Sequence, residues 1–182
     1  LGLIAFQMPN PTDFESLYAN LLTIGALTGN TDQAQALVDN LKARVSAIEE
    51  TMKAADSTPL VFYELDATDA TKPWTAGKGT FIDMLISMAK GKNLGSELEG
   101  AWVQISSEEL VTKNPQVIVL GSSTYGGVTP EDVAARPGWE EIDAVKNNAV
   151  YTFNDDLVSR PGPRLVDGLE ALAQLIHPEL FK

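Results

Sequence analysis

Apolar side chains recur at intervals of three and four residues along one uninterrupted stretch, residues 30–56. They stand at Ala34, Leu37, Val38, Leu41, Val45, Ile48 and Met52. This spacing places them on one face of a helix, with polar residues on the other. Asn30 is the predicted N-cap, and Gln33 completes a weak capping box. At 1.5 Å per residue the predicted helix is about 35–40 Å long, which suits the surface of one domain or a rigid connection between two.

Shorter patterns predict alternating strands and helices along the rest of the chain. Strands are predicted at residues 1–6, 60–65, 102–105, 117–120 and 149–153. Further helices are predicted at residues 14–28, 81–89, 107–114, 130–135, 139–145 and 163–176. Such alternation is typical of an α/β fold, here a mostly parallel sheet flanked by helices in a three-layer αβα arrangement, with the long rigid helix in addition.

Several helix ends carry local signals. Thr12 or Asp13 is expected to cap the first helix, and Gly29 is well placed as the residue that ends it. Ser106 and Glu109 have capping-box spacing before the helix that stops at Pro115. These signals predict where the helices begin and end independently of the apolar pattern.

Composition excludes several classes of function. The formal net charge is −12, so the chain is not expected to bind nucleic acid or anionic membranes. It has no cysteine, which rules out disulfide scaffolds and thiolate metal sites. It has no run of 18 apolar residues, so we expect no membrane insertion by this chain. Its first residue is not Met and leads directly into core-like sequence, so we expect a longer protein with additional sequence before it.

Candidate site residues lie in loops that follow predicted strands, where parallel sheets bind ligands. Trp74 stands beside the glycine-rich segment 77–80, which lacks the glycine and hydroxyl residues that a phosphate-binding loop requires. Tyr125 and Arg160 occupy other such loops, and Trp102 stands in the glycine-flanked segment before the Ser106 cap. A structural role, in the core for the aromatic residues or on the solvated surface for Arg160, is the alternative for each.

Enzyme chemistry receives little support from the sequence. The only histidine, His177, stands at a predicted helix end beside Pro178. No catalytic triad and no paired histidine ligands can be assembled. We therefore predict a protein that is not an enzyme, with no catalytic residue, no metal site and no cofactor, although a site made of carboxylates alone stays open.

An ordered series of motifs resembles the class III periplasmic substrate-binding proteins, which serve ABC importers for iron–siderophore complexes, haem and cobalamin. The series begins with Tyr18–Gly29 and the long helix. It continues through residues 73–82 (PWTAGKGTFI), 102–110 (WVQISSEEL), 114–121 (NPQVIVLG), 136–145 and 159–178 (SRPGPRLVDGLEALAQLIHP). The resemblance covers essentially the whole chain, but it does not identify the ligand.

The resemblance implies a division into lobes. Residues 1–29 would end the N-terminal lobe, most of which is missing, and residues 30–56 would be the helix that joins two lobes. Residues 57–182 would form the C-terminal α/β lobe. It also implies a location outside the cytoplasm, in the periplasm or lipid-anchored at the cell surface. The implied partners are a small-molecule metal chelate and the permease of an ABC importer.

Individual residues match the family motifs. Trp74 and Trp102 fall where cobalamin-binding members carry aromatic residues in the ligand cleft, and Arg160 falls where members often place a basic residue that faces the ligand. Glu108 falls at the acid that pairs with permease arginines. To these the loop positions add Tyr125 and Tyr63 as candidate ligand contacts.

Three functional hypotheses follow. The first is a binding protein for a ferric siderophore or a cobalamin-type corrinoid, because two loop tryptophans suit a large flat ligand. The second is a haem carrier, which needs an axial tyrosine or histidine; Tyr63, Tyr125 or a residue in the missing lobe could serve. The third is a carboxylate- or metal-dependent enzyme on the same fold.

Overall fold

The computed structural model of the chain describes residues 5–181. The helices are α1 (Phe14–Thr28), α2 (Thr31–Met52), α3 (Phe81–Met88), α4 (Ser107–Lys113), α5 (Ser123–Gly126), α6 (Pro130–Ala134), α7 (Asp143–Lys146) and α8 (Leu165–Ile176). The strands are β1 (Leu60–Glu64), β2 (Trp74–Ala76), β3 (Lys92–Asn93), β4 (Trp102–Gln104), β5 (Val117–Leu120) and β6 (Val150–Thr152). Short 3₁₀ turns occur at Leu94–Glu97, Trp139–Glu141, Asp155–Leu157 and Pro178–Leu180.

Four strands form a parallel sheet in the order β3-β1-β5-β6. Glu64 at the end of β1 lies opposite Leu120 at the end of β5, and Leu120 lies opposite Thr152 at the end of β6. These three strands therefore finish at the same level, so the loops that follow them meet along one edge. The predicted α/β fold with a parallel sheet is confirmed.

Side chains of the central strands alternate between two apolar layers, as the two-residue period of a strand requires. Val61, Tyr63 and Val119 face the layer that contains α1, α2, α3 and α8. Phe62 and Ile118 face the opposite layer, which contains α4 and the buried Trp139. Helices therefore cover both faces of the sheet, in the three-layer arrangement that the sequence predicts.

The long helix α2 packs along this lobe. Its buried residues are Val38, Leu41, Val45, Ile48 and Met52, and it contacts α1 and α8. Arg44 on α2 donates hydrogen bonds to Glu170 at 2.6 and 2.8 Å and to Asp167 at 2.6 Å, both on α8. The predicted end at residue 56 is wrong, because tighter backbone bonds from residues 53–55 to carbonyls three residues back close the helix after Met52.

Local details of the first 30 residues differ from expectation in two respects. Asn30 makes no capping hydrogen bond to the helix, because its amide donates to the Thr28 carbonyl and hydroxyl. The capping box with Gln33 is therefore wrong. The strand predicted for residues 1–6 lies mostly outside the described residues; Ala5 and Phe6 form no strand, and Phe6 is exposed.

Other predicted helix ends are confirmed. The Asp13 carboxylate accepts the Ser16 backbone N–H at 2.7 Å, and Gly29 closes α1 with a φ of 72°. The Ser106 hydroxyl accepts the Glu109 backbone N–H. The helix predicted at 139–145 is instead a 3₁₀ turn followed by α7, and part of the loop expected at 122–129 forms α5.

Candidate functional site

A small cleft opens where β1 and β5 end. Its volume is about 220 Å³, and it lies among the loops that follow these strands. The residues around it include Leu65, Asp66, Gly121, Tyr125, Val128 and Asp155. The cleft therefore combines apolar walls with carboxylates, at the edge of the sheet where the sequence predicts a site.

An antiparallel ribbon of β2 and β4 adjoins this edge, and it was not predicted as a pair. Backbone hydrogen bonds between residues 65–66 and Trp74 attach the ribbon to the end of β1, at 2.9 and 2.8 Å. Trp74 lies opposite Gln104, and Trp102 precedes Gln104 by two residues, so both indoles leave the same face of the ribbon. Trp74 is 39% exposed and Trp102 is 55% exposed. Neither indole is sealed in the core, although their contact with a ligand stays a prediction.

The glycines after Trp74 shape the end of the ribbon. An added Cβ at Gly77 would lie 2.0 Å from the Gly100 carbonyl oxygen, so the two backbones approach too closely for a side chain. Gly79 has a φ of 83°, and Thr80 then caps α3 by accepting the Asp83 backbone N–H. The glycine-rich segment therefore serves a tight turn into a helix.

Tyr125 and Arg160 come together through a residue that the sequence did not single out. The Tyr125 hydroxyl donates a hydrogen bond to Oδ1 of Asp156, and the Arg160 guanidinium lies 3.4 Å from the same oxygen. The hydrogen bond to Asp156 raises the pKa of the Tyr125 phenol above its usual value. Tyr125 and Arg160 are both exposed, and their contact with a ligand stays a prediction.

The prediction for Tyr63 is wrong. Its side chain has no exposed surface, and its hydroxyl donates to the buried Asp155 carboxylate at 2.6 Å. Burial, followed by the charge of Asp155, raises the pKa of this phenol well above its usual value. Gly121 lies directly over the ring, where an added Cβ would be 2.5 Å from the Tyr63 hydroxyl oxygen. Tyr63 therefore supports the loop from beneath and does not reach a ligand.

A buried ion pair under the same edge was not predicted from the sequence. Glu64 is fully buried at the end of β1 and accepts hydrogen bonds from both terminal nitrogens of Arg136. The Ser122 hydroxyl also donates to Glu64, at 2.8 Å. The available signal was one glutamate in an otherwise apolar strand, since a buried carboxylate requires a partner. The Ser122 bond fixes the loop after β5 to the end of β1, and the ion pair fixes the segment after α6 to the same point.

Glu108 lies on a second, wider cleft of about 460 Å³, which Lys72, Arg136 and Pro137 also line. Its carboxylate is exposed in the first turn of α4. Among residues 5–181 no ion pair of Glu108 is found, whereas Glu109 lies 3.9 Å from Lys113. The structure thus leaves the Glu108 carboxylate accessible to a partner.

Between residues 5 and 181, no group of histidine, cysteine and acidic side chains is placed to hold a metal ion. Over the same residues, no helix has the length and apolar character needed to cross a bilayer.

Comparison with known proteins identifies the family. The family model described as "Periplasmic binding protein" matches residues 5–157. The chain belongs to the periplasmic binding protein family. The resemblance to class III substrate-binding proteins is therefore confirmed, and with it a location outside the cytoplasm. Members of this family are solute-binding transport components, not enzymes.

Individual relatives agree. An ABC transporter substrate-binding lipoprotein of Bacillus subtilis, YvrC, is 35% identical over 183 residues, which span all of this chain and 56% of that protein. A cobalamin-binding protein of Halobacterium salinarum is 29% identical, over 97% of this chain and 48% of that one. The chain thus spans about half the length of these curated relatives.

A solved structure shows the same fold. It is that of a possible iron-binding, periplasmic solute-binding protein from Staphylococcus epidermidis, with a TM-score of 0.84 and 29% sequence identity. The similarity covers 97% of this chain and 67% of that one. The parallel sheet and its flanking helices are therefore the lobe fold of a periplasmic binding protein.

Proposed function

We propose that this chain supplies one lobe of the solute-binding component of an ABC importer and that the lobe holds a metal chelate against Trp74 and Trp102. The observation that carries the proposal is the pair of exposed indoles on one face of the ribbon, attached to the ligand-binding edge of the sheet. Exposed aromatic rings offer large, rigid apolar area for binding at little cost in conformational entropy.

A cobalamin-type corrinoid is the first candidate ligand, and a ferric siderophore is the second. The corrinoid is favoured by the broad apolar surface of the two indoles and by the relative named as a cobalamin-binding protein. The siderophore draws support from the similar structure described as possibly iron-binding. Tyr125 and Arg160 would supply polar contacts beside the ribbon in either case.

Haem is a weaker candidate. Its iron needs an axial tyrosine or histidine, and burial withdraws both Tyr63 and His177 from that role. Tyr125 is exposed, but its hydroxyl already donates to Asp156. Coordination of haem iron by Tyr125 would therefore require this hydrogen bond to break, and otherwise the axial residue would have to come from outside this lobe.

The lobe division extends the proposal. Residues 57–182 would form the C-terminal lobe, α2 within residues 30–56 would be the helix between lobes, and residues 1–29 would end the N-terminal lobe. Arg44 and the buried face of α2 attach that helix firmly to the lobe described here. A helix held in this way would limit the opening of the cleft between lobes to a small rotation.

Delivery to the permease would use the exposed Glu108. A carboxylate on the surface of each lobe could orient the protein on a basic permease by charge complementarity. In this proposal Glu108 takes no part in ligand capture, because it lies on the second cleft and not on the ribbon.

The proposal is tested by titrating the intact two-lobed protein with cyanocobalamin, a ferric siderophore and haem, and following intrinsic tryptophan fluorescence and ligand absorbance. Saturable binding of cyanocobalamin or of the siderophore supports the proposal. A Soret shift on adding haem, with no response to the other two ligands, would identify haem as the ligand. No binding of any of the three would contradict it.

A further inference from the structure

The Asp156 carboxylate contacts both Tyr125 and Arg160, the two polar residues that are candidates for ligand contact. Oδ1 of Asp156 accepts the Tyr125 hydroxyl hydrogen bond and lies 3.4 Å from the Arg160 guanidinium. The backbone N–H of Asp156 donates to the Asn154 side chain at 3.2 Å, which fixes the carboxylate on its loop. The positive charge of Arg160 is therefore matched by a negative charge on the same surface.

The smaller cleft beside this group has no cationic lining. The charged residues that line it are Asp66 and Asp155, and no lysine or arginine is among them. Each carboxylate is bonded within the lobe: Asp155 to the Tyr63 and Ser159 hydroxyls, and Asp66 to the Thr68 backbone and hydroxyl.

The segments that follow the four parallel strands carry more acids than bases. Their acids are Asp66, Asp69, Glu97, Glu99, Asp155 and Asp156, and their bases are Lys72, Lys78, Arg160 and Arg164. A ligand with several negative charges would need an excess of cations here. A paired arginine still has N–H groups for dipolar groups such as amides, but it gives an anion much less net attraction.

We propose that Asp156 is a specificity-determining residue: by neutralising Arg160, it makes this lobe select uncharged chelates over polyanionic ones. The inference rests on the proposed function and adds the charge class of the ligand to it. Asp156 acts through Arg160, so its effect should show in the ratio of two affinities and should require the arginine.

The test compares two probes in the intact two-lobed protein: cyanocobalamin, which is uncharged, and the trianionic complex ferric enterobactin. In the Asp156→Asn variant the ratio of affinities should shift toward the anionic probe by roughly twofold to fivefold, the size expected for unmasking one partly exposed charge. Adding Arg160→Gln to that variant should abolish the shift. Asp39→Asn, which makes the same charge change on the exposed face of α2 and outside these segments, should leave the ratio unchanged.

Three results would overturn the inference and leave the proposed function intact. They are an unchanged ratio in Asp156→Asn, an equal shift in Asp39→Asn, and a shift that persists without Arg160. If the unmodified protein binds neither these probes nor any other metal chelate, the proposed function fails and the inference fails with it.

Discussion

Glu64 and Arg136 form an ion pair with almost no contact with solvent, at the point where β1 reaches the ligand-side edge of the sheet. The second terminal nitrogen of Arg136 donates to Oε1 of Glu64 at 3.1 Å. The guanidinium also lies over the Trp139 ring, 4.5 Å from its centroid. The pair thus joins the end of β1 to the opposite layer of the lobe.

Removing Arg136 should destabilise the lobe strongly. In Arg136→Met the Glu64 carboxylate stays buried without a partner, and we expect a loss of about 3–5 kcal/mol in the free energy of unfolding. Urea unfolding followed by circular dichroism measures it. Arg164→Met is the control at an exposed arginine, with an expected change below about 0.5 kcal/mol. The double variant Glu64→Leu/Arg136→Met should recover part of the loss. Equal losses of stability in Arg136→Met and Arg164→Met would contradict the role of the ion pair.

Arg44 provides a second test, of how firmly α2 is attached. Arg44→Met removes hydrogen bonds to two partly exposed carboxylates on α8, so we expect a loss of about 1 kcal/mol. Lys53→Met removes a largely exposed pair with Glu50 at the end of α2 and should change stability by less than about 0.5 kcal/mol. Urea unfolding and amide hydrogen exchange in α2 would report both. Equal effects of the two variants would show that the Arg44 contacts with α8 do not hold α2 in place.

Much of the fold could be predicted because its signals are local. The apolar face of α2, the caps at Asp13 and Ser106 and the buried strand β5 all depend on residues close together in the sequence. The end of α2 was missed because residue types that favour helices continue to residue 56, whereas the backbone hydrogen bonds close the helix after Met52.

The site was less predictable because its contacts join distant residues. Glu64 meets Arg136 across 72 positions, and β2 pairs with β4 in strands of three residues each. Neither pairing leaves a periodic signal. Tyr63 was misplaced because its loop-proximal position suggested exposure, whereas the alternation of β1 turns it toward the same layer as Val61.

Acid should weaken the lobe through Glu97. Hydrogen bonds from Lys92 and Lys113 lower the pKa of Glu97 from 4.5 to about 2. The unfolded chain therefore binds more protons between these values, and stability should fall as the pH drops from about 4.5 toward 2. Above about pH 4.5 the stabilising contribution of Glu97 is fully present. Because the Glu97 side chain is partly exposed, screening by solvent keeps its contribution to stability small.

The control for Glu97 is a neighbouring acid. Glu97→Gln should flatten the decline in unfolding free energy between pH 4.5 and 2, whereas Glu99→Gln should leave that slope unchanged. Urea unfolding at several pH values measures the slope. A Glu97→Gln slope identical to that of the unmodified protein would contradict the assignment.

Reversing the charge of Glu108 should impair delivery of the ligand to the permease and leave ligand binding unchanged. In cells that depend on the importer, Glu108→Arg should slow uptake at least about tenfold, because the arginine would repel a basic permease surface. Ligand affinity of the purified protein should be unchanged. Glu140→Arg makes the same charge change at another exposed acid and should transport normally. Normal uptake with Glu108→Arg would remove the docking role.

The most direct test of the account is the affinity of the intact two-lobed protein for cyanocobalamin after loss of either indole. We expect Trp74→Ala and Trp102→Ala each to weaken binding by about fivefold to a hundredfold, because each removes a large apolar contact. Leu37→Ala alters a side chain on α2 that is 39% exposed, as Trp74 is, and should change affinity by less than about twofold. If both tryptophan variants bind as tightly as Leu37→Ala, the indoles do not hold the ligand.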